Sequence, residues 1–366
     1  MSEREPVLLD GTYGEGGGSI PRLGLGFAAL TGRLVEVSQV RVGRKKPGLR
    51  TQHLAGATAI ASLCGGTIEG ASLGSTRVVL RPGDQFKPRV RVQIQTAGSV
   101  GLFLQGTTLA ASKPRAGPRT FHIDGGGTYG AWAPSTAYLT NVTFPVLKRM
   151  GLVVELDVKR HGFYPRGGAS AVARIRPPAG PLKPLVTTDL GKIKRIVGEV
   201  VVSRGLANRK VVERISKHIR QELASLGHCD VELKGSYVDA LNAGVGVDLW
   251  AETSTGARPS SGTVLGRRDL PSNRVASDAA KRLARCLELG APFDEYLLDQ
   301  VIPYLCLAKG RSMVGSTKFS SHSKTNLWLA AQFLPGVSHS VEKSDGGVLL
   351  AVEGVGWKGG GERVGR

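Results

Sequence analysis

The chain has 366 residues, 41% of them hydrophobic and 21% charged, which is ordinary globular usage and excludes wholesale disorder. Its formal charge of +20 favours a polyanionic partner, such as nucleic acid, a nucleotide or an anionic membrane face, although a generally basic, solubilising surface would give the same excess. No apolar run reaches the roughly 18 residues that span a bilayer, and the N-terminal sequence lacks the layout of a signal peptide. We therefore expect a soluble, cytoplasmic protein.

Strand and helix signals alternate through the first half of the chain. The predicted order is a strand entering a glycine loop (7–18), a helix from Pro21 to Gly32, a strand (33–43), a basic turn (44–52), a helix ended by Gly65 (53–66) and a strand (76–83). The order recurs as a strand (89–98), a helix (100–112), a strand (119–127) and a helix from a cap at Ser135 to a stop at Gly151. Divergent duplication of one unit would explain this recurrence.

The proline-rich stretch at 177–185 predicts a domain boundary. We assign residues 183–272, which are more charged than their flanks, to a small inserted α/β domain whose strands are closed by glycines and serines at 254–263. The remaining predicted parts are a large repeat-built domain (1–182 and 273–345, with helices at 277–290 and 294–308) and a C-terminal strand with a mobile tail (346–366).

The cysteines and glycines further limit which kinds of site and fold the chain can have. The four cysteines form no CxxC pair, so they predict small core residues rather than a zinc site or a disulfide framework. They are Cys64, Cys229, Cys286 and Cys306. Glycine is the compositional outlier at 51 residues, and its short clusters lie at predicted strand-to-helix junctions, which implies many tight turns.

The glycine-rich stretch DGTYGEGGGSIPR, at 10–22, encloses the acidic residue Glu15. Glycine lets a backbone approach a ligand closely, and free amides at the start of a helix attract phosphate. The stretch lacks the GK[ST] of a P-loop and the GxGxxG spacing of a dinucleotide site, so a plain tight turn is the alternative. An acid inside an anion-attracting loop is explained if a divalent metal bridges the carboxylate and a phosphate.

The next turn concentrates cations at Arg41, Arg44, Lys45, Lys46 and Arg50. Guanidinium groups fork onto phosphate oxygens, so this cluster suits a triphosphate or an RNA end. A solvated basic loop is the alternative.

Two further stretches combine glycine turns with flat side chains. HGFYPRGG, at 161–168, offers aromatic faces to bases and Arg166 to a phosphate, with a packed β-turn as the alternative. GGGTYGAWAPSTAY, at 125–138, offers apolar surfaces to a purine, with core packing as the alternative for the tryptophan. These surfaces are Trp132, Pro134 and Tyr138.

The predicted helix at 294–308 begins with DEYLLDQ and places Tyr296, Asp299 and Gln300 on one face, at positions i, i+3 and i+4. Together these side chains can read a base edge or a ribose. An exposed face with one half-buried tyrosine is the alternative.

His322 stands just ahead of the last predicted helix, for which Ser323, Thr325 and Asn326 are candidate caps. A helix N-terminus gathers negative charge, and an unprotonated imidazole is a nucleophile that can form a phosphoramidate with phosphorus. For a histidine taken alone, an ordinary loop residue is the simpler interpretation.

Taken together, these stretches resemble the RNA 3'-terminal phosphate cyclase family. The motifs occur in family order over nearly the whole chain, at 10–22, 40–54, 97–105, 161–168, 294–300 and 320–336. On this resemblance His322 corresponds to the adenylated histidine of the family. Ser19 departs from the glutamine that is common at its position, so no ligand role is assigned there.

The resemblance implies an ATP-dependent reaction that converts an RNA 3'-terminal phosphate into a 2',3'-cyclic phosphodiester through a covalent histidine–AMP and an RNA-adenylate, with release of AMP and pyrophosphate. The implied partners are ATP, Mg²⁺ or Mn²⁺, and an RNA with a 3'-phosphate end, without a membrane or an obligate protein partner. The implied fold is α/β (α+β), with three tandem repeats of a two-helix, four-stranded unit and a smaller inserted α/β domain.

The resemblance also implies a role for each matched residue. Glu15 would contact the divalent metal. Other residues would surround the phosphates and metal (Arg41, Arg44, Gln105), the RNA 3'-phosphate (Arg22, Gln52, His53), the nucleoside (Tyr296, Asp299, Gln300) and the adenine face (Pro134, Tyr138).

Two other functions remain open from the sequence. One is a cyclase-like protein without activity that binds RNA in ribosome assembly; such relatives lack the active histidine, which is present here. The other is a generic basic RNA-binding module, which gives no reason for the acid in the glycine loop.

Overall fold

A computed structural model describes residues 5–227, 230–344 and 347–359. These residues form a mixed α/β fold in which helices pack on four-stranded mixed sheets. Within the same residues, no helix combines the length and apolarity needed to cross a membrane.

The first sheet is built by residues 7–81. Its elements are β1 (Val7–Asp10), α1 (Ser19–Thr31), β2 (Val35–Ser38), α2 (Thr51–Cys64), β3 (Thr67–Glu69) and β4 (Val78–Arg81). The strand order is β1-β2-β4-β3, with β1 and β2 parallel and the other pairs antiparallel. Gly32 and Gly65 end the two helices at φ values of 70° and 61°, which confirms both predicted stops.

The second sheet follows the same plan. Its elements are β5 (Arg89–Ser99), α3 (Val100–Ala111), β6 (Arg119–Gly127), α4 (Thr136–Tyr138), a π-helical stretch (Leu139–Thr143), α5 (Phe144–Met150), β7 (Val153–Arg160) and β8 (Ser170–Arg176). Ser135 caps α4 by accepting a hydrogen bond from the Tyr138 amide at 2.9 Å, as predicted. Pro145 has no amide hydrogen to donate, which explains why the helix widens to a π-turn just before it.

The third sheet combines a short strand with the C-terminal part of the chain. Its elements are β9 (Val186–Thr187), α8 (Glu295–Leu307), β14 (Lys309–Ser316), α9 (Ser321–Phe333), β15 (Ser338–Ser344) and β16 (Gly347–Val355). In all three sheets the first two strands are parallel and the fourth strand lies between the second and third. The origin of this common plan in duplication stays a prediction.

A fourth sheet lies between β9 and α8 and has its own core. Its elements are β10 (Ile193–Ser203), a 3₁₀ turn (Arg204–Arg209), α6 (Val211–Ser225), β11 (Val231–Val238), β12 (Val245–Thr253), β13 (Ser260–Leu265) and α7 (Ser272–Glu288), with strand order β11-β10-β12-β13. Two expectations differ from the structure here. Residues 254–259 close strand β12 as predicted, but residues 260–263 begin strand β13. Helix α7, predicted from residue 273 onwards to belong to the large domain, packs on this sheet.

The reason for the second difference is the amphipathic pattern of α7. Val275, Ala279 and Leu283 are buried with α6 and the strands of this sheet, and α7 contacts α6, β12 and β13. The helix therefore completes the core of the inserted unit.

One larger core joins the other three sheets. Helices α1, α2 and α3 pack together, α9 packs on α1 and on α8, and their apolar side chains form one continuous cluster. Cys64, Cys286 and Cys306 are buried and free, as predicted for core residues. Cys229 lies outside the described residues, as do 360–366 of the predicted tail.

Candidate active site

His322 lies in the first turn of α9. The helix begins at Ser321 and is capped by Ser320, whose Oγ accepts a hydrogen bond from the Ser323 amide at 3.0 Å. Ser323 Oγ in turn accepts one from the Ser320 amide at 3.3 Å, which completes a reciprocal capping box. The caps predicted at Ser323 and beyond are therefore too late, and His322 is inside the helix with its ring 48% exposed.

Glu15 brings the glycine loop to this ring. Its Oε2 lies 3.2 Å from His322 Nε2, and Ser321 Oγ donates a hydrogen bond to Oε1. The guanidinium of Arg44 donates to the Glu15 carbonyl oxygen at 2.9 Å and lies 4.0 Å from Oε2. The nucleophile candidate, the metal candidate and one phosphate candidate thus meet at one point.

The glycine loop is fixed against the face of α9. The ring of Tyr13 stacks on Trp328 at a centroid distance of 3.9 Å. Gly14 has a φ of +61°, and a Cβ there would lie 2.5 Å from Thr325 Oγ1. The loop can approach the helix this closely only with glycine at that position. Neither contact was predicted from the sequence.

Arg22 and Gln105 meet beneath the glycine loop. Arg22 Nε donates to Gln105 Oε1 at 2.8 Å, and Nη1 donates to the Gly18 carbonyl at 3.1 Å. Desolvation lowers the pKa of Arg22 to about 10, so it remains a cation at neutral pH. A partly buried cation at the start of α1 is suited to an anionic group.

His53 is held neutral next to that cation. Burial, followed by the positive charges of Arg22, Arg41 and Arg50, lowers the pKa of His53 to about 3. Its Nδ1 accepts a hydrogen bond from the Arg50 amide at 3.1 Å, so the ring proton resides on Nε2. Nε2 faces Gly18 so closely that a Cβ there would lie 2.2 Å away.

Gln52 and Arg41 stabilise backbone around this pocket. Gln52 Oε1 accepts a hydrogen bond from the Ser99 amide, at the start of α3, at 3.0 Å. Arg41 Nη1 donates to the carbonyls of Lys46 and Gly48 at 2.9 and 2.8 Å and so closes the basic turn. Desolvation, together with the nearby cations, lowers the pKa of Arg41. Arg44 is the more exposed of the two arginines predicted at the phosphates.

The three residues predicted to share a face of α8 do so, but only Tyr296 is substantially exposed, at 47%. Asp299 is buried and accepts hydrogen bonds from Ser320 and Ser323 at 2.7 and 2.5 Å, which supports the start of α9. Burial raises the pKa of Asp299 to about 6. Gln300 accepts from Thr143 at 3.1 Å and is also buried.

Tyr138 does not offer a flat face. It is 1% exposed, and its hydroxyl donates to Asp294 at 2.8 Å. Asp294 caps α8 by accepting from the Tyr296 amide at 2.9 Å, and it also accepts from Ser260 of the inserted unit at 2.6 Å. The prediction of Tyr138 at an adenine face is therefore wrong, because this ring supports the cap beneath Tyr296.

In the loop before α4, the tryptophan is exposed to solvent, in contrast to the buried Tyr138. Trp132 is 98% exposed, so the alternative of core packing is wrong. Pro134 is partly exposed, and its carbonyl lies against Gly101 at the start of α3, where a Cβ would come within 2.1 Å. Ser135 Oγ donates to the buried Asp248 at 2.9 Å, which ties this loop to the inserted unit.

Glu15 provides a single carboxylate for a divalent metal. The described parts of the chain contain no group of three or more His, Cys, Asp or Glu side chains arranged to hold an ion. Mg²⁺ and similar ions often bind through one or two carboxylates plus substrate phosphates, with water completing the shell. The donor set therefore fits an ion that is held largely by nucleotide phosphates.

Comparison with known proteins identifies the family. A family model described as RNA 3'-terminal phosphate cyclase matches residues 13–339. Proteins named RNA 3'-terminal phosphate cyclase from Pyrobaculum neutrophilum and Methanopyrus kandleri are each 38% identical to this chain, covering 96% and 93% of it and 99% and 96% of their own lengths. A protein of the same name from Thermococcus kodakarensis is also 38% identical, over 91% of this chain and 94% of its own. The chain belongs to the RNA 3'-terminal phosphate cyclase family.

Proposed function

We propose that this protein converts an RNA 3'-terminal phosphate into a 2',3'-cyclic phosphodiester at the expense of ATP, with His322 as the nucleophile. The observation that carries the proposal is the position of His322 Nε2, half exposed and 3.2 Å from the Glu15 carboxylate. A histidine with only a structural role at the start of a helix would not require a carboxylate, a glycine loop and an arginine from the N-terminal part of the chain beside it. Glu15 and Arg44 supply these groups here.

The reaction divides into three displacements at phosphorus. A ring nitrogen of His322 attacks the α-phosphorus of ATP, and the bond to pyrophosphate breaks. An oxygen of the RNA 3'-phosphate then attacks the same phosphorus, and the P–N bond breaks to leave an RNA-adenylate. Finally the vicinal 2'-hydroxyl attacks the 3'-phosphorus, its proton leaves to solvent, and AMP departs as the cyclic ester closes.

The chain's own residues would position these groups. Glu15, held by Ser321, would orient the imidazole ring for attack on phosphorus, and the N-terminal end of α9 favours negative charge there. Arg22, beside the neutral His53, offers a cationic pocket to the RNA phosphate. A divalent metal held by Glu15 would neutralise phosphate charge during the first displacement.

Tyr296 and Pro134 are the exposed candidates for the nucleoside. Tyr296 presents its ring beside Gly262, where a Cβ would come within 2.7 Å of it, so the ring is packed on one side and open on the other. A ring that is fixed in this way is suited to stacking on adenine.

The test is covalent labelling with α-labelled ATP and Mg²⁺ or Mn²⁺. We expect label to become attached to the protein and to be lost in His322→Ala. Lys324→Ala, on an exposed position of the same helix turn, serves as the matched control and should label normally. Label retained in His322→Ala would refute the assignment of the nucleophile, and absence of label in the unaltered protein would favour a non-catalytic RNA-binding role.

A second measurement follows the RNA. An oligonucleotide with a 3'-phosphate should gain a phosphatase-resistant, cyclic end only when ATP is present. If the end becomes cyclic without ATP, the adenylate route is wrong.

A further inference from the structure

Three loops meet on the surface beside the candidate site, and we call their meeting point the loop junction (128–134, 161–168 and 239–244). Thr128 Oγ1 lies 3.0 Å from His161 Nδ1, and the Thr128 amide donates to the Gly162 carbonyl at 2.9 Å. The Arg166 amide donates to Asn242 Oδ1 of the inserted unit at 3.1 Å. The junction is therefore one connected surface.

The base of the loop junction is rigid and aromatic. Tyr129 and Phe163 are buried and stacked at a centroid distance of 5.7 Å. Strand β12 and the loop before it press on both rings, because a Cβ on Gly244 would lie 2.1 Å from Phe163 and one on Gly246 would lie 2.0 Å from Tyr129. These contacts hold the outer residues of the loops in place.

Above this base, large apolar side chains face solvent. Trp132 is 98% exposed, Tyr164 is 80% exposed and Leu241 is 53% exposed. Trp132 also has a φ of +56°, a conformation that is uncommon for residues other than glycine. Exposed aromatic rings on a rigid support are typical of surfaces that stack on a partner.

The charge around these rings indicates the class of partner. Arg166 lies next to Tyr164 in the same turn and is exposed, and within the described chain its guanidinium has no carboxylate partner. Lys159 and Arg160 are also exposed at the end of β7, but Lys159 pairs with Asp157 at 2.6 Å and Arg160 donates to the Gly168 carbonyl at 2.6 Å, so Arg166 is the cation offered to a phosphate. Aromatic faces interleaved with cations bind single-stranded nucleic acid, because bases stack on the rings and phosphates pair with the cations.

The loop junction adjoins the nucleoside end of the candidate site. Pro134, two residues from Trp132, touches the start of α3 at Gly101. The Ser135 amide donates to Thr263 Oγ1 at 3.1 Å, next to the glycine on which Tyr296 packs. At the same end of α3, the Ser99 amide donates to Gln52, one of the residues predicted at the RNA 3'-phosphate, at 3.0 Å. The loop junction and that pocket therefore meet the same end of one helix.

We propose that Trp132 and Tyr164 stack on bases of a single-stranded RNA upstream of its 3' end, while Arg166 contacts the backbone. The position of the 3' end rests on the proposed function, but binding at the loop junction needs no chemistry. The surface would read single-strandedness and length rather than sequence, since every base has a face that can stack.

The test compares RNA binding with histidine labelling. A 3'-phosphorylated single-stranded RNA of about ten nucleotides, within the footprint of such surfaces, is titrated by fluorescence anisotropy. Trp132→Ala with Tyr164→Ala should weaken its binding about 10- to 100-fold, whereas the paired phenylalanine variants should retain binding. Arg166→Ala should lower the slope of log affinity against log salt by about 0.7. Val341→Ala, an exposed apolar residue on β15, is the control and should bind normally.

Labelling of His322 from ATP alone distinguishes the two proposals. The double alanine variant should label like the unaltered protein, which also shows that it is folded. Unchanged RNA binding in this variant overturns the proposal, and so does a loss of labelling, since Trp132 would then serve the nucleotide. If the unaltered protein never labels but its RNA binding still depends on both rings, the proposed function fails and the surface stands.

Discussion

His322 Nε2 and Glu15 Oε2 lie 3.2 Å apart, although the first residue belongs to the last long helix and the second to the first loop of the chain. Ser321, adjacent to the histidine, donates to the other carboxylate oxygen. The carboxylate is thus fixed at two points against the first turn of α9. Glu15 is therefore the residue by which the N-terminal glycine loop contacts the imidazole ring of His322.

Replacing Glu15 with Gln removes the charge and keeps the size of the side chain. We expect the rate of protein labelling from ATP to fall about 10- to 100-fold, as is usual when a partner of a metal or of a reactive group is lost. Because a weakened metal site can be filled at higher concentration, more Mg²⁺ should restore part of the rate. Glu36→Gln is the control, because Glu36 lies in β2 and pairs with Arg77 rather than with His322; this variant should label normally. A normal rate in Glu15→Gln would contradict the role of this carboxylate.

Tyr13 stacks on Trp328 and so fixes the glycine loop against α9. We therefore expect the ring of Tyr13 to position Glu15 without contacting substrate. Tyr13→Ala should slow labelling about 2- to 10-fold, in proportion to the 0.5–1.5 kcal/mol that an aromatic pair contributes. Tyr13→Phe keeps the ring and should label normally. If both variants are slowed equally, the hydroxyl rather than the stack is what matters.

Local chemistry was sufficient to predict many elements from the sequence. Gly32, Gly65 and Gly151 end helices in the left-handed conformation, and Ser135 caps the helix that follows it. Such signals depend only on neighbouring residues, so they are visible without the fold. The start of α9 was misplaced because several serines compete there, and the reciprocal contact between Ser320 and Ser323 decides among them.

Contacts between distant segments could not be predicted in this way. The resemblance to a known family suggested that Glu15 and His322 belong to one site, but no local pattern gives their separation. Tyr138 was misassigned because a tyrosine beside a glycine turn reads the same whether its hydroxyl meets solvent or a buried acid such as Asp294. The exposure of Trp132 was not predicted for a similar reason: a tryptophan is normally expected in a core, and the local sequence does not show that this one lies outside it.

A pair of adjacent glycines tests how closely the glycine loop packs on His53. A Cβ at Gly18 would lie 2.2 Å from His53 Nε2, whereas one at Gly17 would lie 3.5 Å from an arginine nitrogen, an ordinary contact. We expect Gly18→Ala to lower the free energy of unfolding by about 1–3 kcal/mol and Gly17→Ala to change it little. Thermal unfolding followed by circular dichroism measures both. Equal melting temperatures would show that His53 moves aside at no cost.

Acid should destabilise the protein through His53. Its pKa of about 3 in the folded state lies below the unfolded value of about 6.5, so between these pH values the unfolded chain binds the extra proton and stability falls as pH falls. From pH 6.5 to pH 5 the loss from this residue should be about 1.6 kcal/mol. The contribution is fully present about one pH unit or more above the unfolded pKa of about 6.5 and is lost progressively towards pH 3.

His53→Gln removes this titration and keeps a hydrogen-bond acceptor for the Arg50 amide. The variant is expected to be less stable at pH 7, because packing is disturbed, but its melting temperature should fall less steeply on acidification than that of the unaltered protein. His339→Gln, the same substitution at an exposed position on β15, is the matched control. Parallel slopes for all three proteins would mean that His53 is protonated in the folded state well above pH 3, and that the cationic pocket around Arg22 is more open to solvent than its burial indicates.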